Sequence, residues 1–396
     1  MSSEVGSQQA AFGNLAPEQI SEPRSVGELC ECLRQAQHDH ARMLIAGGGT
    51  RLAFGNSGGP FDRVLLTRRL NGVIHYEPDD MTLAVEPGCT IERITELLAE
   101  QGQFIALDVA HPERATIGGS YATGLSGPRR LSGGSLKDWV IGVEIAGVDG
   151  TIARAGGMVV KNVTGFDMMH LHYGALGAFG VVTRLNLKVF PQPGASRSVA
   201  LSYADAKDAH AAAVAILGSQ LQPSLILIAN DDGWRVHVRI DAPATAIERL
   251  VERVIEMADS AAPSTDQSVA IGGETAVAPF VRSVDLTLGR VVARLPITAS
   301  RQVGLLSKIA DDTDIEVCAD PGSALVYLVA ASEPSLRNAL SVTDAQPTWM
   351  SLPVASRDGV DVFGPLAAPS ADVVRRLKES FDPDRQLNPG RFVLGL

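Results

Sequence analysis

Hydrophobic spacing alone divides the chain into elements. After Ser25, Val26, Leu29, Leu33 and Ala36 fall on one helical face, and Glu28 stands where a capping box needs an acid, so a helix is expected there. The apolar run Met43–Ala46 leads straight into glycines and reads as a short buried strand. Met81–Gly88 reads as a second strand, stopped by Pro87-Gly88. Thr90 caps an expected helix with Ile91, Ile94 and Leu98 on one side and Gly102 at its end. "VIGVEIAGVDGTIARAGG" predicts two strands turning at Asp149-Gly150. Gly180–Phe190 is a long strand, and "PQPGA" breaks it.

Past Pro193 the texture changes. "SLILIAN", "WRVHVRI", the helical "ATAIERLVERVIEMAD", "GRVVARLPI", "QVGLLSKIADDT" and "ALVYLVAA" alternate between strand and helix, with "SAAPSTDQS" as a polar loop. A lobe of strands with helices on one side is expected. Near the end a helix carrying Val373, Leu377 and Phe381 precedes "FDPDRQLNPGRF". The fold class is α+β, with expected divisions 1–24 (an extension), 25–193, 194–360 and 361–396. No internal repeat is legible.

Length and charge narrow the function. At 396 residues, 45% apolar and 20% charged, the chain is expected to hold more than one core. A net charge of −11 argues against nucleic acid and anionic membrane as direct partners. No apolar run approaches the roughly 18 residues of a spanning helix, and the first residues lack the pattern of a signal peptide. The expected address is cytoplasmic. Four cysteines, two of them in Cys30-Glu31-Cys32, suit a reducing compartment; no metal site is expected from them.

Glycines supply the chemistry. They cluster in "AGGGTRLAFG", "ATIGGSYATGLSGPRRLSGG" and "GALGAFGVVT". Backbone amides bared at such turns form concave donors for an anion, typically a pyrophosphate. Three clusters ahead of one lobe boundary predict a large diphosphate-bearing cofactor lying across several loops. A glycine-rich hairpin domain is the plainer reading of the same residues.

These segments, with "LKDWVIGVEIAGVDGTI", "VVKNVTGFDMMHL" and "FDPDRQLNPGRF", stand in the order found in FAD-binding proteins of the vanillyl-alcohol oxidase / p-cresol methylhydroxylase (PCMH) type. Within that group the chain looks most like the FAD-binding subunit of glycolate oxidase. The resemblance covers 25–193 and the C-terminal tail. It implies a two-part PCMH-type FAD-binding domain, a smaller α+β (ferredoxin-like) cap lobe, and a tail returning to the flavin. It implies that Gly47, Gly48, Gly49, Thr50 and Arg51 wrap the pyrophosphate, and that Thr116, Ile117, Gly118, Gly119, Thr123 and Gly124 line diphosphate and flavin from the other side. Val181 and Val182 would contact the adenine end, and Asn388 would approach the isoalloxazine edge. The first loop lacks histidine and the second lacks cysteine, so the FAD is expected to be non-covalent.

The resemblance further implies a glycolate-oxidising complex, in which a second flavin subunit and an iron–sulfur subunit pass electrons towards membrane quinones. Rival readings are a stand-alone FAD oxidase or dehydrogenase of a small hydroxylated substrate, and a non-catalytic FAD-bearing partner. Relatives acting on 2-hydroxy acids often hold a metal with histidines and an acid; here the second lobe has only His210 and His237. Catalytic candidates are Lys161 and Asn162 in the loop placed near the reactive ring, and Arg129, with Arg130, as a carboxylate clamp. His170 and His172 would share a face if their stretch were extended.

Overall fold

The structure is a computed structural model and describes residues 19–158, 167–353, 356–357 and 359–396. Two small sheets build its first half. Strands β1 (Ile20–Ser21), β2 (Met43–Ala46) and β3 (Arg63–Leu66) form a parallel sheet in the order β1-β3-β2. Helix α1 (Val26–His38) packs Leu29, Cys30, Leu33 and Ala36 beneath it, with the Ser25 hydroxyl accepting from the Glu28 amide at 3.2 Å. The second sheet is antiparallel and contains β4 (Val73–Glu77), β5 (Thr82–Val85), β7 (Val140–Ala146), β8 (Ile152–Gly156) and β9 (Val181–Lys188), ordered β4-β5-β9-β7-β8. A two-stranded ribbon of β6 (Gln103–Phe104) and β10 (Phe190–Pro191) closes one side. Helix α2 (Ile91–Ala99) buries Ile91, Ile94 and Leu98 as its spacing predicts, and the β7–β8 hairpin turns with Gly150 at φ +70°. Short helix α3 (Ile117–Thr123) starts at the Thr116 hydroxyl and ends at left-handed Gly124.

The second half is one antiparallel sheet of eight strands: β11 (Ala195–Tyr203), β12 (Leu225–Ala229), β13 (Trp234–Ala242), β14 (Asp266–Ile271), β15 (Val291–Pro296), β16 (Ile315–Asp320), β17 (Leu325–Ala330) and β18 (Thr348–Ser351). Their order, β14-β11-β13-β12-β16-β17-β15-β18, resolves into two βαββαβ units laid side by side. The first unit carries α4 (Ala206–Leu217) and α5 (Ile247–Ala261); α6 (Glu274–Ser283) links it to the second, which carries α7 (Ala299–Lys308) and α8 (Glu333–Leu340). The units meet where β12 pairs with β16 through Ile228–Ala319 and Ala229–Cys318. The ferredoxin-like expectation therefore holds twice over, and the lobe contains a topological repeat that its residues do not spell out.

Alternation along the strands gives this sheet two faces. Val291, Ala293, Leu295, Val326 and Leu328 join the helices in the main core, whereas Val292 and Val329 meet Phe54, Leu125 and Leu176 of the first half. The C-terminal helix α9 (Ala368–Phe381) returns to the first half with Leu377 and Phe381 on its apolar face as expected, but with Val374 there in place of Val373. Val373 is 47% exposed, and Val374, Leu377 and Phe381 pack around Ala175, Ala178 and Phe179. The fully buried residue of that face is Lys378. Its ammonium donates to Asp382 at 2.7 Å, to the Ala178 carbonyl at 2.8 Å and to the Leu387 carbonyl at 2.9 Å. The Asp382 carboxylate also accepts from the Gln386 and Leu387 amides. One buried ion pair thus fastens the tail to the third glycine cluster.

Candidate functional site

All three glycine clusters and the tail wall one cavity. The first cluster follows β2, whose end is fixed by the tail. Met43 exchanges backbone hydrogen bonds with Gln386 and Asn388, and the Asn388 side chain accepts from the Ile45 amide at 2.7 Å while donating to the Leu176 carbonyl at 2.5 Å. Both ends of that amide are thereby spent on holding the first loop against the third.

Two of the glycines admit another protein loop. A Cβ at Gly48 would lie 1.7 Å from the Arg114 carbonyl oxygen, and one at Gly47 would lie 2.3 Å from the Thr116 hydroxyl. The close neighbour at these positions is the second loop. Gly49 turns the backbone at φ +79°. Beyond this turn, the amides of Gly48, Gly49, Thr50 and Arg51 donate to no acceptor among the described residues, although all four residues line the cavity. Consecutive bared donors of this kind form an anion-binding nest. The second loop differs: its Ile117 and Gly118 amides go to the Cys89 and Pro87 carbonyls, and that of Gly119 to the Thr116 hydroxyl.

Two desolvated cations reinforce the nest. Arg51 donates to the Thr123 hydroxyl at 3.1 Å and the Leu125 carbonyl at 3.2 Å, and Arg391 donates to the Leu52 and Phe54 carbonyls. Neither has a carboxylate partner among the described residues. Burial pushes both guanidiniums down to about 10, so both remain charged at neutral pH. Buried cations without counter-charge favour an anionic ligand. Arg391 lies in the quoted "NPGR" motif, three residues past Asn388, and was not singled out there; its proximity in that motif was the available signal.

The candidates read from sequence disperse as follows. Gly47, Gly48, Gly49, Thr50, Arg51, Thr116, Gly118, Gly119, Thr123, Val181, Val182 and Asn388 line the cavity. Ile117 instead points into the core, and Gly124 sits where a Cβ would meet the Gly174 Cα at 2.9 Å. Arg129 is already paired: its Nε donates to the buried Asp108 carboxylate at 2.7 Å, which leaves no free clamp for a substrate. Lys161 and Asn162 lie outside the described residues. His210 meets the Ala299 carbonyl and His237 meets Asp231. Among the described residues no three potential metal ligands converge.

His170 and His172 do not share a strand face, because Met168–His172 is a helical turn capped by Asp167. His170 remains outside with Asp167. His172 is buried, lines the cavity and stacks edge-on to Phe381, and burial pushes its imidazole down to about 4. Its folded value is depressed, so its contribution to stability is complete above the unfolded value near 6.5 and is lost as pH falls towards about 4. That window is worth about 3 kcal/mol at most. His172→Phe is expected to flatten the loss of urea midpoint between pH 6.5 and 4 relative to the parent; an unchanged slope would show that His172 is not the titrating group.

Comparison with known proteins agrees with this geometry. Residues 17–156 match the FAD binding domain family model. The chain is 23% identical to glycolate oxidase subunit GlcD of Bacillus subtilis (strain 168), over 95% of this chain and 89% of that protein. It is 35% identical to glycolate oxidase subunit GlcE of Escherichia coli (strain K12), over 43% of this chain and 49% of that one. The aligned stretch thus spans about half of GlcE but most of GlcD. Among solved structures, a 4-ethylphenol oxidase from Gulosibacter chungangensis shares the fold at TM-score 0.70 and 15% identity, covering 94% of this chain and 88% of that one. The chain thus carries an FAD binding domain over residues 17–156, is similar in sequence to glycolate oxidase subunits, and shares the fold of the 4-ethylphenol oxidase.

Proposed function

We propose that this chain is the FAD-bearing subunit of a glycolate dehydrogenase-like complex oxidising a small 2-hydroxy acid at its CH–OH group. The observation that carries the reading is the nest of four acceptor-free amides beside Arg51 and Arg391 at the head of the cavity. Gly48, Gly49, Thr50 and Arg51 would hold the diphosphate; Gly118, Gly119 and Thr123 would wall its other side, and Val181 and Val182 would flank the adenine. When bound, FAD supplies a two-electron acceptor, and the protein supplies orientation and electrostatics. The cavity would hold it without a covalent tether, since the first glycine loop holds no histidine and the second no cysteine. Asn388 and Lys378 act at one remove, by keeping the tail seated against the loops.

The names of the two glycolate oxidase relatives support the substrate class. An iron–sulfur cluster needs about four thiolates. The four cysteines here stand apart: two on α1, one at the turn before α2 and one on β16. Electrons would therefore leave through an iron–sulfur subunit, with a second flavin subunit as neighbour. Among the described residues no helix is long and apolar enough to cross a membrane; the proposed place is cytoplasmic, held at the inner membrane by partners. Anaerobic addition of glycolate or D-lactate to the chain co-purified with its partners is expected to bleach the flavin absorbance. A panel of 2-hydroxy acids that leaves the intact complex unbleached would sink the proposal.

A further inference from the structure

One buried side chain on the cavity wall has nothing to bond to. His172 is 4% exposed, lines the cavity, and makes neither hydrogen bond nor ion pair among the described residues. Its surroundings fix where it points. It closes the short helix Met168–His172 and stacks edge-on against Phe381, with 6.0 Å between ring centroids. On its other side is the turn into β9. A Cβ at Gly180 would lie 2.5 Å from the Ile145 side chain and 3.5 Å from Cε1 of His172. Cε1 is the carbon between the two ring nitrogens, so the polar edge of the imidazole faces that turn, and the missing Cβ leaves it uncovered. Buried polar groups are ordinarily paired, and an unpaired one calls for an explanation.

The cavity has two chemically different ends. Arg51, Arg391 and His172 are the ionisable side chains on its wall, and the two arginines stand by the nest. Burial alone acts on the imidazole, so it lies out of range of both cations and is uncharged at neutral pH. Such an imidazole carries one donor and one acceptor, whichever tautomer it adopts. Beside it, Val181 and Val182 send their side chains into two separate cores, so the start of β9 shows the cavity main chain only. Gly177 and Gly180 have no side chain to offer. A ligand that reaches this end therefore meets an uncharged wall on which His172 has unspent hydrogen-bonding capacity. Small-molecule sites take their specificity from a few groups of this kind.

We infer that His172 reads the adenine of the bound cofactor, its imidazole sharing a hydrogen bond with the edge of the purine beside Gly180. With the diphosphate held in the nest, this contact fixes where the adenosine half lies and makes the cavity favour the flavin dinucleotide over the flavin mononucleotide. It rests on the proposed placing of the diphosphate in the nest and of the adenine by Val181 and Val182.

The full-length protein is stripped of flavin and titrated by calorimetry at neutral pH with ADP, with ribose 5-diphosphate, which keeps sugar and diphosphate but has no base, and with adenosine, which has no phosphate. Wild type is expected to bind ADP more tightly than either fragment. His172→Phe keeps a ring against Phe381 and removes both nitrogens. It is expected to weaken ADP and FAD about 5- to 10-fold and to leave ribose 5-diphosphate unchanged. His172→Gln, which restores a donor and an acceptor, should recover part of the loss. The thermal midpoint of the ligand-free variants should match that of wild type at this pH, because the imidazole holds no structural partner. Equal ADP affinity in wild type and His172→Phe, or an equal loss for ADP and ribose 5-diphosphate, overturns the inference and leaves the nest standing. Adenosine bound as tightly as ADP, and still weakened by His172→Phe, would uphold the contact and remove the nest as the anchor.

Discussion

Gly48→Ala is expected to give protein that has lost most of its flavin and several kcal/mol of stability. The added methyl would sit 1.7 Å from the Arg114 oxygen and 2.7 Å from its carbonyl carbon, both backbone atoms. That backbone cannot step aside cheaply. The Arg114 and Ala115 amides both bond the His111 carbonyl, and the Pro112 carbonyl receives the Glu92 amide at 3.0 Å. The first loop must therefore swing away, carrying its bared amides off the cavity wall. Overpacking commonly costs about 1–3 kcal/mol when side chains can yield, and here the obstacle is main chain. Gly102→Ala is the control. Gly102 has φ +61° with nothing within 4 Å of an added Cβ, so the cost is about 1–2 kcal/mol of local conformational strain, and flavin should be retained. The ratio of flavin to protein absorbance, with the thermal midpoint of each variant, decides the matter. Full flavin content in Gly48→Ala would mean that the contact between the loops does not shape the site.

The second large effect is expected at Lys378. Its side chain is 1% exposed and that of Asp382 is fully buried. Lys378→Met strands the Asp382 carboxylate in the interior, and Asp382→Asn strands the ammonium while weakening the acceptors for Gln386 and Leu387. Breaking one side of a buried pair costs about 3–5 kcal/mol. Because the pair holds the tail through Ala178 and Leu387, loosening it should also release Asn388 from Ile45 and Leu176. The expected signature is a lower urea midpoint together with weaker FAD retention and new proteolysis within the tail. A stability loss under 1 kcal/mol, or a loss with FAD affinity untouched, would show that the tail is not what closes the cavity.

Much of this was legible because burial leaves a period in the residues. Leu29, Leu33 and Ala36 announced α1; Ile91, Ile94 and Leu98 announced α2; and Asp149-Gly150 announced a hairpin. Elements without such a period were missed. Strand β14 is an edge strand exposed at nearly every residue, with Ile271 87% exposed, and its first residues were read as part of a polar loop. On α9 Leu377 and Phe381 were placed correctly and Val373 was not, because the face runs through a lysine, Lys378, whose charge is compensated by Asp382, and composition conceals such a pairing. The repeat of two βαββαβ units is a property of strand order, so apolar residues of many kinds satisfy it. At the site, the glycines were correctly read as marking close approach, but the approaching groups at Gly47 and Gly48 are Thr116 and Arg114. His170 and His172 were joined on one face only for an extended stretch; the helical turn there leaves His172 as the one of the two at the cavity.

The bared amides of Gly48 to Arg51 should make the diphosphate the anchor of the ligand. Stripped of its flavin, the protein should bind FAD, and bind ADP more weakly, while riboflavin, which shares the ring system but has no phosphate, should bind at least about a thousandfold less tightly than FAD, a difference of roughly 4 kcal/mol. Riboflavin affinity equal to that of FAD would contradict the account, because the nest would then hold nothing.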